Sequence, residues 1–195
     1  NSCSAFALRW SWFRRYAIPP VSFRDPPPLY LPSRIGMRTP SNSPCRGGKG
    51  RNRTRMVKIV IPYYEQEKVY TCGPAALQMA FAYFDIVRSQ RSLARQARTS
   101  RITGTTNTQM AKVARAAGFT ADVEVHATLT DITRALRRWL PVIVNYINPD
   151  DEEGHYAVVS GIGLRHVILH DPWNGEKFRI VKKELDFYRK MRLPV

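Results

Sequence analysis

Cysteine is scarce in this sequence. The 195 residues contain three cysteines, and two of them, Cys3 and Cys45, lie in the first quarter of the chain. The rest of the chain therefore holds a single cysteine, Cys72, which has no partner there for an internal disulfide bond. This shortage argues against a small secreted fold held together by disulfides.

Long apolar stretches are also missing. No run approaches the roughly 20 residues that a membrane-spanning helix needs, and the N-terminus has no apolar core followed by a small-residue cleavage site, as a secretory signal would. These absences predict a protein without a membrane span, and we expect it to be soluble and cytoplasmic.

Acidic residues are nearly absent from residues 1–55. This segment holds 11 of the 31 Lys and Arg residues but only one of the 15 acidic residues, Asp25, so it carries +10 of the total net charge of +16. Proline runs at 19–20 and 26–28 interrupt it, and no helical or strand period is sustained. We therefore predict a disordered, basic, Pro/Arg-rich tail over residues 1–55.

A different pattern begins at Met56. A strand-like segment follows it at once, whereas the chain itself starts with Asn1, so we expect that Met56 is the native start and that the tail is translated upstream sequence. Residues 56–195 carry a net charge of only +6 and are long enough for one domain. Such mild charge does not predict a specific nucleic-acid partner.

Helix-forming sequence dominates the first part of this domain, and strand-forming sequence follows Pro141. Apolar periodicity predicts helices over 74–84, 92–97, 109–117 and 129–140. Runs of β-branched and aromatic residues predict strands over 57–61, 121–126, 142–146, 156–162, 166–169 and 177–181. Asn174-Gly175 is a strong hairpin turn between the last two strands. This segregation predicts an α+β fold, in which N-terminal helices pack on a C-terminal, mostly antiparallel sheet.

Cys72 lies where the first, buried helix is predicted to begin. Thr71 is a candidate N-cap, and Pro74 suits the first helical turn. The partial positive charge at a helix N-terminus stabilises a thiolate, and the unpaired amides there can hold a developing oxyanion. Cys72 is therefore a candidate nucleophile, with a small buried structural thiol as the alternative.

Two neighbours of Cys72 fit the same chemistry. Gln66 lies six residues upstream, and its side-chain amide can donate a second hydrogen bond to an oxyanion. A solvated loop residue is the alternative for Gln66. Gly73 is expected to leave room for a substrate beside the sulfur.

A nucleophilic cysteine needs a base, and the sequence offers four histidines. His155 opens a buried strand, where a side chain is held rigidly at a sheet edge, and this placement suits a general base. Asp171 ends the next strand, so antiparallel pairing of the two strands would bring it near His155 and let it orient the imidazole. A turn Asp before Pro is the alternative for Asp171, and His170 is its rival. His126 is expected to be solvated.

A metal site formed by Cys72, His155, His170 and Asp171 is another use of these side chains. The sequence has no close ligand pair such as Cys-x-x-Cys, so we expect neither a metal nor a cofactor.

These residues, taken in order, resemble the bacteriocin-processing, double-glycine-leader peptidase family and its stand-alone relatives, which belong to the papain-like superfamily. The resemblance runs from about Val57 to Val181. It rests on Gln66, on Cys72-Gly73-Pro74-Ala75-Ala76-Leu77-Gln78-Met79, on Gly104-Thr105 before a helix, on Gly154-His155-Tyr156-Ala157-Val158-Val159, and on Asp171-Pro172.

The resemblance implies a papain-like fold and a role for each matched residue. Cys72 would attack the scissile carbonyl of a peptide or protein substrate, and His155 would deprotonate the thiol and later protonate the leaving amine. Asp171 would orient His155, while Gln66 and the Cys72 backbone amide would bind the oxyanion. A leader segment ending in two glycines is one substrate that the resemblance suggests, with a separate transporter as a partner.

The sequence departs from the family in two respects. Thr71 stands where the family commonly has an acidic residue, and these 195 residues contain neither the transporter nor the ATPase to which the best-known members are fused, so ATP binding is not implied. Other functions stay open. They are a catalytically silent peptide-binding module of the same fold, an acyl-transferring or deamidating enzyme, and nucleic-acid binding through the tail and Arg91, Arg95, Arg98 and Arg101.

Overall fold

The computed structural model describes residues 56–147 and 154–185, together with the backbone of residues 5–10. Seven strands and four helices lie entirely within this part of the chain, and residues 182–185 are helical as well. In chain order they are β1 (Ala5–Trp10), β2 (Val57–Lys58), α1 (Cys72–Ala82), α2 (Gln90–Gln96), α3 (Asn107–Ala116), β3 (Phe119–Glu124), α4 (Leu129–Arg137), β4 (Val142–Ile147), β5 (Gly154–Ile162), β6 (His166–Asp171) and β7 (Gly175–Val181).

The strands form one antiparallel sheet. Its order is β3-β1-β4-β5-β6-β7, and β2 pairs with β5. Helix α1 packs on β5 and β4 and also contacts α2 and α3. The predicted α+β arrangement of helices packed on an antiparallel sheet is therefore confirmed. None of the helices in the described ranges is both long and apolar enough to cross a membrane.

Helix α1 is the centre of the hydrophobic core. Its residues Leu77, Met79 and Phe81 are no more than 1% exposed, because the sheet covers one side of the helix and α2 and α3 cover others. The Phe81 ring stacks on Phe119 of β3 with the ring centroids 4.9 Å apart. A helix that is apolar nearly all round is stable only when it is buried in this way, as its sequence predicted.

Local signals set the ends of the other helices. Thr106 with Gln109 forms a capping box at the start of α3, and Thr128 with Asp131 forms one at the start of α4. Gly118 follows α3 with a φ of 94°, a left-handed conformation that glycine adopts without a steric penalty. These residues fix the helix boundaries through hydrogen bonds and backbone conformation that are readable from sequence.

Strand β1 lies in the segment for which the sequence predicted a disordered tail. For these six residues the structure has a strand instead, paired with β3 along its whole length and with β4 over three residues. Its partners lie more than 100 residues further along the chain, so no local pattern reveals the pairing. Residues 11–55, which include Cys45 and the proline runs, lie outside the described residues, and the division of the chain at Met56 stays a prediction.

Candidate active site

Cys72 is the first residue of α1 and is largely buried, with 8% of its surface exposed. The preceding Thr71 occupies the N-cap position but does not cap the helix with its side chain. Its hydroxyl instead donates to the Lys68 carbonyl at 2.9 Å. Pro74 has no N–H, and Ala75 is the first residue whose amide bonds back to Thr71. The Thr71 side chain thus leaves the amides of the first helical turn uncapped beside the sulfur.

Antiparallel pairing of β5 with β6 brings His155 and Asp171 together. His155 is the second residue of β5, Asp171 is the last residue of β6, and His155 Nε2 lies 2.9 Å from Asp171 Oδ1. Because Nε2 is engaged with the carboxylate, the other ring nitrogen, Nδ1, is left for the Cys72 side chain, whose interaction with His155 helps to raise the pKa of the imidazole. The structure therefore brings three predicted residues into one chain of contacts: Cys72, His155 and Asp171.

The surroundings of His155 favour its protonated form. Burial by itself would lower its pKa, but hydrogen bonds to Asp171 and Cys72 and the charges of both groups outweigh burial and raise the pKa to about 10. The protonated imidazole is therefore favoured beside the Cys72 side chain.

Asp171 is fully buried and accepts hydrogen bonds on both carboxylate oxygens. Oδ1 accepts from His155 and from the backbone amides of Trp173 and Asn174, at 2.9 and 2.8 Å, and Oδ2 accepts from the Tyr146 hydroxyl at 2.5 Å. Burial would raise the pKa of Asp171, but hydrogen bonds from His155, Asn174 and Tyr146 hold it below its ordinary value of 3.8. The carboxylate is therefore ionised and fixed in orientation.

Tyr146 is a residue of this site that the sequence did not reveal. It lies on β4 directly opposite His155 in the strand register, and the two rings meet nearly at right angles with centroids 5.8 Å apart. Its hydroxyl reaches past His155 to Asp171. A tyrosine in a strand of buried residues needs a partner for its hydroxyl. This need was the one signal in the sequence that pointed to Tyr146, but the sequence does not say which acceptor the hydroxyl meets.

Gln66 lies next to the Asp171 segment, but its amide is already engaged. Its backbone N–H donates to the Pro172 carbonyl at 3.1 Å. Its side-chain Nε2 donates to the carbonyls of Lys68 and Val69 at 2.9 and 3.0 Å, which uses both of its hydrogens. Oε1 is buried without a hydrogen-bond partner among the described residues. Gln66 thus organises the turn that leads to Cys72.

The expectation that Gly73 leaves room for substrate is wrong. A Cβ atom at this position would lie 2.8 Å from Met110 Sδ and 3.2 Å from Thr105 Cβ, so the space is filled by α3 and the loop before it. Gly73 allows the start of α1 to pack closely against these residues. Thr105, which belongs to one of the segments that carry the family resemblance, therefore packs against the first turn of α1.

His126 and His170 have different surroundings from His155. His126 is exposed, as expected, and His170 is buried with its ring edge against Tyr63 at a centroid distance of 6.0 Å. Burial lowers the pKa of His170. Asp171, and not its rival His170, is bonded to His155. In the described residues no group of three or more His, Cys, Asp or Glu side chains is arranged to hold a metal ion.

The sequence profile of the Peptidase_C39 like family matches residues 58–192. The chain belongs to this family. The match covers well over half of the chain and includes Gln66, Cys72, His155 and Asp171, and it confirms the predicted resemblance to the bacteriocin-processing peptidases. No curated protein gives a significant match.

Two solved structures are similar to this C39-like chain. One is the peptidase domain of Streptococcus ComA, a bi-functional ABC transporter involved in a quorum-sensing pathway, with 24% identity, a TM-score of 0.56, and coverage of 68% of this chain and 91% of that one. Another is a double glycine motif protease from an AMS/PCAT transporter in complex with the leader peptide, with 19% identity, a TM-score of 0.44, and coverage of 70% and 87%. The likeness to the ComA domain supports the papain-like α+β fold.

Proposed function

We propose that this C39-like chain is a cysteine peptidase in which Cys72, His155 and Asp171 act as the catalytic triad. The observation that carries the proposal is the 2.9 Å contact between His155 Nε2 and Asp171 Oδ1. It holds the imidazole of a histidine that also interacts with Cys72, the first residue of a helix. A nucleophile, a base and a group that orients the base are the parts that thiol acyl chemistry requires.

In the first step, the Cys72 thiolate attacks the carbonyl carbon of the scissile peptide bond. A C–S bond forms, and the carbonyl electron pair moves onto oxygen to give an oxyanion. When this intermediate collapses, the C–N bond breaks and the amine leaves with the proton that His155 holds. Protonated His155 is available for this task because its pKa is raised to about 10.

In the second step, water attacks the thioester that joins the acyl group to Cys72. His155, now neutral, removes a proton from the water, the C–O bond forms and the C–S bond breaks. The acid product leaves, and the proton stays on His155 opposite the Cys72 thiolate. Asp171 holds the ring in one orientation throughout and stays ionised.

The oxyanion is held by the backbone amide of Cys72 and by the Gln66 side chain. The amide belongs to the uncapped first turn of α1, where the helix dipole also favours negative charge. Both hydrogens of Gln66 Nε2 face the Lys68 and Val69 carbonyls, so a substrate oxygen has to take over one of these two bonds.

The substrate class that we propose is an extended peptide or a protein leader segment. The related peptidase domain of ComA is part of a bi-functional ABC transporter. For this reason, the first candidate substrates are peptides destined for export, and the first candidate partner is a separate transporter. A leader that ends in two glycines is the first sequence to test.

The proposal is tested by comparing the wild-type protein with Cys72→Ala. Iodoacetamide labelling at pH 6.5, followed by site-resolved mass spectrometry, should modify Cys72 faster than Cys3 and Cys45, which serve as reference thiols in the same chain. A peptide library that includes Gly-Gly sites should be cleaved by the wild type and left intact by Cys72→Ala.

Two results would contradict the peptidase assignment. Peptide binding without cleavage, with Cys72 no more reactive than the reference thiols, identifies a silent binding module. Transfer of the acyl group to an added amine, or loss of ammonia from a side-chain amide, identifies an acyl-transferring or deamidating enzyme. Product analysis by mass distinguishes these outcomes from hydrolysis.

A further inference from the structure

Gln90 is a buried glutamine that the chemistry described so far does not use. It is the first residue of α2 and is 3% exposed. Its side-chain Nε2 donates to the Glu65 carbonyl at 2.6 Å, and its Oε1 accepts from the Glu67 amide at 3.0 Å. Both ends of the side-chain amide are therefore satisfied by backbone groups of another segment, more than 20 residues earlier in the chain.

The two backbone groups that Gln90 binds lie on either side of Gln66. The peptide units before and after Gln66 are thus fixed to the start of α2 by one side chain. The Thr71 hydroxyl lies 3.4 Å from the same Oε1, although its hydrogen is better placed on the Lys68 carbonyl at 2.9 Å. Gln90 therefore contacts both ends of the loop formed by residues 65–71, which joins Gln66 to Cys72.

Gln90 supplies a hydrogen-bond donor and an acceptor, which are not needed merely to fill space in the core. Burying a side-chain amide costs free energy unless its donor and acceptor are both satisfied, and an apolar side chain would fill the same volume without that condition. Only Gln and Asn carry a primary amide, in which an N–H donor and a C=O acceptor lie side by side as they do in a peptide bond. The amide is suited to holding a peptide N–H and a peptide C=O at a set distance.

We propose that Gln90 is a positioning residue for the oxyanion site. It holds the 65–71 loop so that the Gln66 amide and the Cys72 backbone amide keep a fixed separation, and it touches neither the substrate nor the reacting atoms. The proposal rests on the oxyanion role of Gln66 in the proposed function. A small displacement of such donors lowers catalysis strongly, by roughly 100-fold for about 1 Å.

The test compares two reactions of Cys72 in Gln90→Met and Gln90→Glu. Alkylation by iodoacetamide forms no oxyanion, whereas a peptide aldehyde adds to the sulfur and places its carbonyl oxygen in the oxyanion site. Gln90→Met keeps the length of the side chain without its polar atoms. Gln90→Glu keeps shape and acceptor, and in its ionised form it lacks the hydrogen that bonds Glu65, so it carries the test at alkaline pH if Gln90→Met does not fold.

We expect aldehyde affinity and kcat for peptide cleavage to fall roughly 10- to 100-fold in both variants, with an unchanged rate of Cys72 alkylation. Amide hydrogen exchange of Glu67 should become faster in Gln90→Met, because the acceptor of this amide is lost. The same substitutions at Gln96, an exposed residue of the same helix that bonds only Ser92 among the described residues, should change none of these readouts.

Parallel losses of alkylation and aldehyde binding would overturn the proposal, because they indicate a general structural role for Gln90. Unchanged Glu67 exchange in Gln90→Met would overturn it as well. If the wild-type protein neither binds aldehydes nor cleaves peptides, the proposed peptidase function and the oxyanion role of Gln90 both fail. Glu67 exchange then decides separately whether Gln90 holds the 65–71 loop.

Discussion

The Tyr146 hydroxyl donates a 2.5 Å hydrogen bond to Oδ2 of Asp171, while Oδ1 of the same carboxylate faces His155. Tyr146 also lies opposite His155 on the neighbouring strand. Tyr146 therefore contacts both His155 and Asp171. Its hydroxyl satisfies an oxygen of a fully buried carboxylate that would otherwise lose a donor.

Tyr146→Phe should destabilise the protein by about 2 kcal/mol at neutral pH, as expected for loss of a hydrogen bond to a charged group. The Tyr146 bond helps to lower the pKa of Asp171 below 3.8, so its removal raises that pKa. A carboxyl with a lowered pKa stabilises the fold above 3.8, and this contribution is lost as the pH falls. The difference in unfolding free energy from wild type should therefore shrink below about pH 3.8, measured by urea denaturation.

Tyr156→Phe is the matched control for this prediction. Tyr156 lies on β5 and is also buried, but its hydroxyl contacts the Thr105 carbonyl and Asn107 instead of the Asp171 carboxylate. Its loss should cost stability without the dependence on acid pH. A pH-independent effect in Tyr146→Phe would contradict the assigned role of Tyr146.

Asp171→Asn should move the alkaline limit of activity to lower pH. Asp171 helps to raise the pKa of His155 to about 10, and removal of its charge lowers that pKa. Above the new limit, each further pH unit lowers the protonated fraction of His155 about tenfold. The kcat/KM profile of the wild type should therefore fall near pH 10, and that of Asp171→Asn at a lower pH.

Asp131→Asn is the control for this prediction, because it also removes one negative charge but does so outside the candidate active site. Asp131 pairs with Arg134 on the surface of α4 and should leave the activity profile unchanged. An alkaline limit that is the same in Asp171→Asn and wild type would show that Asp171 does not control the protonation of His155.

His155→Gln should reveal the contribution of the buried imidazolium to stability. A histidine whose pKa is raised stabilises the fold fully below its unfolded value of 6.5, and this stabilisation is lost as the pH rises toward about 10. The melting temperature of wild type should therefore exceed that of His155→Gln most near pH 6.5, with the gap narrowing toward pH 10. The exposed His126→Gln variant should show no such trend, and a gap that widens with pH would contradict the prediction.

Gly73→Ala should destabilise the protein by about 1–3 kcal/mol, the usual cost of adding an atom to a packed region. The added methyl group would lie 2.8 Å from Met110 Sδ, so either the Met110 side chain or α1 has to move. At Gly163, by contrast, the nearest atom to an added methyl group is 3.7 Å away, so Gly163→Ala is the control. Equal melting temperatures for the two variants would show that the contact at Gly73 relaxes freely.

The sequence by itself determined the parts of the site that depend on local signals. A single cysteine in residues 56–195 left one candidate for the nucleophile, and Pro74 together with the apolar run after it placed that cysteine at the start of a buried helix. The positions of His155 and Asp171 followed from two neighbouring strands, because consecutive antiparallel strands bring the start of one near the end of the next. The order of helices and strands was readable for the same reason: periodicity and turn residues act over short distances.

Only the tertiary structure decided which distant groups meet. The Asp171 acceptor of Tyr146 and the groups that contact the Gln90 amide lie 19 to 25 residues away in the chain, and the partners of β1 lie more than 100 residues away. The crowding at Gly73 likewise depends on how α3 packs against α1. Periodicity identifies the face of a helix or strand that is buried, but the partner of a buried polar atom depends on the packing and side-chain conformations of the folded chain.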